Sequence, residues 1–155
     1  MTRCAVYARK SQDDSDKTAD NRSTTRQVAH AKAYALAKGW TVSDEHVYVD
    51  DNISGMEFRN RPALLRMLNA LKQFDAIVMS ELSRIGRDQI QTAQCLANIE
   101  AAGVAVEFYL TAERLKFDTA VDRFITNAVS FAAELERERA SQRSRDALER
   151  KAAKG

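Results

Sequence analysis

The sequence of 155 residues has few of the residues that interrupt regular structure, with five glycines and one proline. Because these residues punctuate helices and strands, their scarcity predicts regular elements joined by short loops. The two cysteines, Cys4 and Cys95, have neither metal-ligand spacing nor a disulfide framework, so we expect a reducing, cytoplasmic environment. No apolar run reaches about 18 residues, and charge begins at Arg3, so we expect neither a membrane-spanning helix nor a secretory signal.

Several motifs that would specify a chemistry are also missing. The sequence contains no glycine-rich phosphate loop of either common type and no G-x-S-x-G nucleophile elbow. No group of His, Cys and carboxylate residues has transition-metal spacing, and His30 and His46 fall within a predicted helix and a predicted strand. We therefore expect a functional site without a metal or cofactor.

The residues that are present predict an α/β fold. A composition of 45% apolar and 30% charged residues is that of an ordinary globular domain. Alternating strands and helices predict a mostly parallel sheet with helices on both faces. Residues 12–22 are polar and lack periodicity, which predicts a mobile loop after the first strand. Strands are expected at 4–7, 46–49, 76–79 and 104–110, and helices at 23–38, from 61 onward, at 88–102 and at 121–153.

Arginines and hydroxyl side chains follow these predicted strands. Sites in α/β domains lie beyond the carboxyl ends of the strands, so such residues should converge on one edge of the sheet. A cluster of guanidinium groups repels itself unless an anion lies among them, and their fork of donors suits phosphate. A hydroxyl beside that phosphate is a candidate nucleophile. The residues concerned are Arg9, Ser11, Arg61, Arg84 and Arg87.

Six short segments occur in the order found in one known family. They are residues 7–11 (YARKS), 23–27 (STTRQ), 51–55 (DNISG), 61–62 (RP), 82–88 (LSRIGRD) and 136–139 (ERER). The sequence resembles the catalytic domain of the serine recombinases, which include resolvases, invertases and large serine integrases. The resemblance covers nearly the whole chain. It implies a three-layer α/β/α resolvase-like domain with a mostly parallel central sheet and a long C-terminal helix.

The resemblance also implies an activity and a site. In this family a serine attacks a DNA phosphodiester, forms a 5′-phosphoserine bond and releases a 3′-hydroxyl, which reverses the attack after strand exchange. No cofactor is implied, and the general base is left unassigned. By resemblance the nucleophile is Ser11, the groups that bind the scissile phosphate are Arg9, Arg84 and Arg87, and the supporting residues are Arg61 and Gln27.

One position departs from the family pattern. Ser83 stands before Arg84, where the family commonly has an aspartate that orients the arginines or takes part in proton transfer. Either a neighbouring acid such as Asp51 or Glu81 substitutes for it, or the activity is weaker. Asp50 is interpreted as the end of a strand or a turn cap, whereas Asp51 suits that interpretation and a supporting role in the site equally.

The final helix carries the positive charge of the sequence. Residues 1–138 have 18 basic and 20 acidic residues, a net charge of −2, whereas residues 139–155 have six basic and two acidic, a net charge of +4. This surplus favours binding to the DNA backbone over a merely solvated face. We therefore divide the chain into a catalytic domain, 1–120, and a helix for dimerisation and DNA contact, 121–155. The candidate DNA-binding residues are Arg139, Arg143, Arg145, Arg150 and Lys151.

The resemblance completes the hypothesis about partners. It implies double-stranded DNA, a dimer built along the apolar stripe of Phe124, Phe131 and Leu135, and a tetramer when two DNA sites meet. It also implies a mobile-element recombinase of a bacterium or phage, associated with the nucleoid, whose DNA integration or rearrangement needs a further domain that reads bases.

Two other hypotheses remain beside the recombinase. Ser83 motivates a catalytically weak relative that binds DNA or oligomerises. A flavodoxin-like signalling domain would place a cation at Asp50 and Asp51, but this acidic pair follows the second strand instead of the usual first.

Overall fold

The computed structural model describes residues 1–10, 23–51, 61–86 and 88–154. The predicted loop at 12–22 lies outside them. The strands are β1 (Arg3–Arg9), β2 (Thr41–Asp50), β3 (Ala76–Met79), β4 (Ala105–Phe108) and β5 (Glu113–Arg114). The helices are α1 (Thr24–Ala37), α2 (Pro62–Asn69), α3 (Gln89–Ala101) and α4 (Thr119–Lys154), and 3₁₀ turns occupy Leu71–Gln73 and Leu82–Arg84.

The strands form one sheet in the order β2-β1-β3-β4-β5. The first four strands pair in parallel, and β5 pairs antiparallel with β4. The predicted mostly parallel sheet is therefore confirmed. The sequence did not indicate β5, because its two residues are exposed and charged and have no apolar run.

Alternation along the strands divides the core into two layers. On β1, Ala5 and Tyr7 point into a cluster shared with α2 and α3, whereas Cys4 and Val6 point into a cluster shared with α1. Successive side chains of a strand face opposite sides of a sheet, so one strand serves both layers. The three-layer α/β/α arrangement is thus confirmed.

The helix ends follow the sequence signals. Ser23 caps α1 by accepting a hydrogen bond from the Arg26 amide, and Asp88 caps α3 by accepting one from the Gln91 amide. Gly39 and Gly103 follow the two helices with φ of 75° and 71°, a conformation that favours glycine. Capping residues and glycines therefore mark where both helices begin and end.

The C-terminal helix leaves the body of the domain. α4 has 36 residues, and at 1.5 Å per residue it is about 54 Å long. Its first turns pack on α3 and bury Ile125, whereas every residue from 136 to 154 is exposed. The long helix predicted at 121–153 is confirmed. Among the described residues, no helix is long and apolar enough to cross a membrane.

Candidate functional site

Three arginines predicted for the site are buried at the carboxyl edge of the sheet. Arg9 ends β1, Arg84 ends the 3₁₀ turn after β3, and Arg61 precedes α2. Their exposed fractions are 1%, 0% and 0%, respectively. Burying a guanidinium is costly unless its donors find partners. The local fold supplies several of those partners as backbone carbonyls.

Arg9, Gln27 and Arg84 hold one another through their backbones. The Gln27 side-chain amide donates to the Arg9 carbonyl at 3.0 Å, and the Arg9 amide donates to Gln27 Oε1 at 3.2 Å. Arg84 Nη1 also donates to the Arg9 carbonyl, at 2.6 Å, while Arg9 Nε donates to the Arg84 carbonyl at 3.3 Å. This reciprocal pattern fixes the end of β1 against α1 and the 3₁₀ turn.

Arg61 contributes to the same edge from the residue before α2. Its two terminal nitrogens donate to the Ile85 and Arg84 carbonyls. Its Nε and Nη2 also donate to the Tyr7 hydroxyl, at 3.2 and 2.8 Å. Arg61 therefore holds the backbone of the turn that carries Arg84.

Asp50 connects Tyr7 with the start of α2. It accepts hydrogen bonds from the Tyr7 hydroxyl at 2.9 Å and from the amides of Ala63 and Leu64 at 3.0 and 3.1 Å. Asp50, at the end of β2, therefore caps the amino terminus of α2. Arg61 stands at the N-cap position of this helix but makes no side-chain cap hydrogen bond. Burial raises the pKa of Tyr7, so its hydroxyl stays protonated and donates to Asp50. The sequence analysis missed Tyr7 as a member of this network.

The two acids considered as substitutes for an aspartate at position 83, Asp51 and Glu81, lie in different places. Asp51 accepts from the Thr24 hydroxyl at 3.0 and 3.2 Å, at the start of α1. Glu81 pairs with Arg84, with 3.2 Å between Oε1 and Nη2. Ser83 contributes its backbone carbonyl, which accepts from Arg9 Nη2 at 2.9 Å.

The arrangement can bind an anion. Three buried guanidinium groups lie within one network, together with the carboxylates of Asp50 and Glu81. A fixed positive charge in a partly dry setting stabilises negative charge that develops on a phosphate. The predicted nucleophile Ser11 and the predicted phosphate ligand Arg87 lie outside the described residues. The structure brings together Arg9, Gln27, Arg61, Arg84 and Ser83, whereas Asp51 contacts Thr24 at the start of α1.

A second buried acid lies away from this edge. Glu107 on β4 is almost fully buried and accepts hydrogen bonds from the Tyr34 hydroxyl at 2.5 Å, from Lys38 Nζ at 3.3 Å and from Arg114 Nε at 3.0 Å. Burial raises the pKa of Glu107, but these hydrogen bonds outweigh burial and lower it overall. The sequence analysis did not single it out, although a lone acid within an apolar strand was a usable signal.

The two cysteines do not contribute to the site. Both are free and buried, and burial is the main cause that raises the pKa of each thiol to about 12. A thiol of this kind is an inert apolar side chain at neutral pH. In the part of the chain that the structure describes, no group of three or more His, Cys, Asp or Glu residues could hold a metal ion.

The predicted DNA-binding residues share one environment on α4. All of them are exposed, and Arg139 pairs with Glu136 at 3.8 Å. Nearer the body, Phe124 and Phe131 line a groove with the start of α3, and Phe131 is 55% exposed. The predicted DNA-binding residues on the exposed part of α4 are Arg139, Arg143, Arg145, Arg150 and Lys151.

Comparisons with known proteins agree with this fold. The family model of the resolvase N-terminal domain matches residues 4–155. A resolvase of Clostridium perfringens is 27% identical over 140 residues, 88% of this chain and 68% of that protein. The DNA-invertase hin of Salmonella typhimurium is 30% identical over 89 residues, 57% of this chain and 45% of that protein. The N-terminal catalytic domain of TP901-1 integrase matches with a TM-score of 0.61 and 25% identity, over 88% of this chain and 97% of that domain.

The extent of these matches decides the family. The chain spans about two thirds of the length of the resolvase and less than half of the invertase. The family model matches nearly every residue, and the structural likeness to the integrase domain covers most of the chain. The chain therefore belongs to the resolvase family of serine recombinases and corresponds to their N-terminal domain.

Proposed function

We propose that this domain cleaves and rejoins DNA through a covalent bond between Ser11 and a 5′-phosphate. The observation that carries this proposal is the buried network of Arg9, Arg61 and Arg84 at the carboxyl edge of the sheet. A cluster of guanidinium groups suits a phosphodiester, and Ser11 follows Arg9 by two residues in the chain.

The covalent step balances without a cofactor. Ser11 Oγ attacks the phosphorus, its proton passes to an unassigned base, and the bond from phosphorus to the 3′ oxygen breaks. The 3′ oxygen leaves as a hydroxyl after it takes up a proton, and a phosphodiester is exchanged for a phosphoserine ester of similar energy. The reverse attack by a 3′-hydroxyl on the phosphoserine rejoins the DNA. Arg9, Arg84 and Arg87 bind the phosphate oxygens, while Gln27 and Arg61 hold Arg9 and Arg84 in place.

The long helix α4 carries the surfaces that would bind a second copy of the chain and DNA. Phe131 and its neighbours on α4 form an exposed apolar surface, which suits a second copy of the chain. Beyond it, the exposed basic residues between 139 and 151 suit the backbone of double-stranded DNA. Exchange of strands requires two such dimers, so we propose a tetramer at synapsis. Sedimentation velocity of the Phe131→Glu variant, compared with that of the unaltered chain, measures whether this surface forms the dimer.

The experiment that tests the cleavage step detects the covalent bond. The full chain is joined at its carboxyl end to a DNA-binding domain of known sequence preference. It is incubated with duplexes that carry two copies of that sequence around a randomised core. We expect a protein–DNA adduct that resists denaturant, with the modified peptide identified as the one containing Ser11.

The variants sharpen this test. Ser11→Ala should form no adduct, whereas Ser43→Ala, at an exposed position of β2, should match the unaltered chain. An unaltered chain that binds the duplex and self-associates but never forms the adduct would support the catalytically weak relative instead. An adduct that persists in Ser11→Ala would assign the nucleophile to another residue.

A further inference from the structure

Glu81 occupies an unusual position beside the buried arginines. It directly precedes the 3₁₀ turn, and its carboxylate lies 3.2 Å from Arg84. The Glu81 side chain is 38% exposed, whereas the Arg84 side chain is fully buried. We propose that Glu81 is a positioning residue for DNA cleavage, holding the Arg84 guanidinium in the plane in which it meets the scissile phosphate. This inference rests on the function proposed above.

Arg84 is held by two anchors of different kinds. Nη1 donates to the Arg9 carbonyl at 2.6 Å, and Nη2 donates to the Glu81 carboxylate at 3.2 Å. A guanidinium group is rigid and planar, so two fixed terminal nitrogens determine its orientation. The backbone of Arg84 is held as well, because its carbonyl accepts from Arg9 and Arg61. Among these contacts of the described residues, Glu81 contributes a side-chain carboxylate, whereas Arg9 contributes a backbone carbonyl.

The neighbouring carboxylates are committed elsewhere. Asp50 accepts from Tyr7 and from the first amides of α2, and Asp51 accepts from Thr24. Ser83, which stands where an aspartate is common in the family, offers its carbonyl to Arg9. Of the two acids considered as substitutes for that aspartate, Glu81 is thus the one whose carboxylate meets Arg84.

The charge of Glu81 also fits this role. Arg9, Arg61 and Arg84 are like charges within one buried network, and a nearby carboxylate reduces their repulsion before DNA arrives. Because Glu81 is partly exposed to solvent, its attraction for Arg84 is screened, and the edge keeps its affinity for an anion. The carboxylate orients the guanidinium without neutralising the network.

The test moves the carboxylate from one position to another. Glu81→Gln keeps the shape and one oxygen acceptor but removes the charge. We expect adduct formation on the duplexes described above to slow about tenfold to a hundredfold, the scale of a small misplacement of a reacting group. The affinity for DNA and the melting temperature should stay close to those of the unaltered chain. Adding Ser83→Asp to Glu81→Gln should restore most of the rate.

The outcomes separate the two proposals. Glu113→Gln, at an exposed position of β5, is the matched control and should have the rate of the unaltered chain. If Glu81→Gln forms adduct as fast as this control, the inference is wrong and the proposed function stands. The inference is also wrong if Ser83→Asp alone is active but does not restore the rate of Glu81→Gln. In that case a carboxylate near Arg84 is not what the reaction loses in Glu81→Gln. If the unaltered chain forms no adduct, the proposed function fails and takes the inference with it.

Discussion

Arginines occur in two opposite environments in this molecule. At the carboxyl edge of the sheet, Arg9, Arg61 and Arg84 are buried and donate to backbone carbonyls. On the distal half of α4, the arginines are exposed, and Arg139 has a weakly held partner in Glu136 at 3.8 Å with 61% of its side chain in solvent. The same side chain is thus part of a fixed framework in one region and a flexible charge in the other.

This difference separates two uses of positive charge. A buried guanidinium with several hydrogen bonds has a defined position, which catalysis at a phosphate requires. An exposed guanidinium adapts to the DNA backbone and contributes affinity that falls with salt. The comparison predicts that changes of the buried arginines at the sheet edge alter stability and rate, whereas changes of the exposed arginines on α4 alter DNA affinity with little effect on stability.

The largest effect is expected at Arg61. Arg61→Met removes hydrogen bonds to the Tyr7 hydroxyl and to the carbonyls of Arg84 and Ile85, all within the buried network. We expect the free energy of unfolding in urea to fall by about 3 kcal/mol, as for a broken buried polar network. Arg66→Met, at an exposed position of the same helix, is the control and should change it by less than about 0.5 kcal/mol. Equal effects of the two would mean that the buried hydrogen bonds of Arg61 do not cause the loss.

A smaller effect is expected at Glu107, and it depends on pH. Its pKa is lowered in the folded protein from an ordinary value of 4.5, so the charged form stabilises the fold above that value. This stabilisation is lost as the pH falls through the lowered pKa. Glu107→Gln should therefore cost about 2 kcal/mol at neutral pH, the scale of hydrogen bonds to a charged group, and progressively less at an acidic pH as the lowered pKa is crossed.

Glu136 is the matched control for Glu107. Its carboxylate pairs with Arg139 on the exposed part of α4, at 3.8 Å. Glu136→Gln should change the free energy of unfolding by less than about 0.5 kcal/mol at either pH, because exposed ion pairs contribute little. Urea unfolding at the two pH values compares the variants. The burial argument is contradicted if both variants give the same dependence on pH.

The layers of the fold could be predicted because they depend on local patterns. Apolar runs marked four of the five strands, and Gly39 and Gly103 marked two helix ends. The strand β5 escaped prediction because its pairing with β4 is made by backbone groups of exposed, charged residues. Such pairing leaves no pattern of hydrophobic residues to detect.

The candidate site could be predicted in its members but not in its contacts. The motifs identified Arg9, Gln27, Arg61 and Arg84, and the structure places them in one network. The position of Tyr7 could not be derived, because its hydroxyl meets Arg61 and Asp50 only after three separate segments pack together. The choice between Asp51 and Glu81 was open for the same reason, since it depends on which carboxylate meets Arg84.

The smallest effect on stability is expected on the basic half of α4. Arg143→Ala combined with Arg145→Ala removes two exposed side chains, one of which contacts Gln142 at 2.8 Å, so the free energy of unfolding should change by less than about 0.5 kcal/mol. The affinity for duplex DNA, measured by fluorescence anisotropy over a range of salt concentrations, should nevertheless fall. Each phosphate contact contributes about 0.9 to the slope of log K against log salt, so the slope should decrease by about one per arginine. Arg66→Ala is the control and should leave the slope unchanged if the phosphate contacts belong to α4. Equal losses of DNA affinity in both variants would mean that overall charge, and not this helix, attracts the DNA.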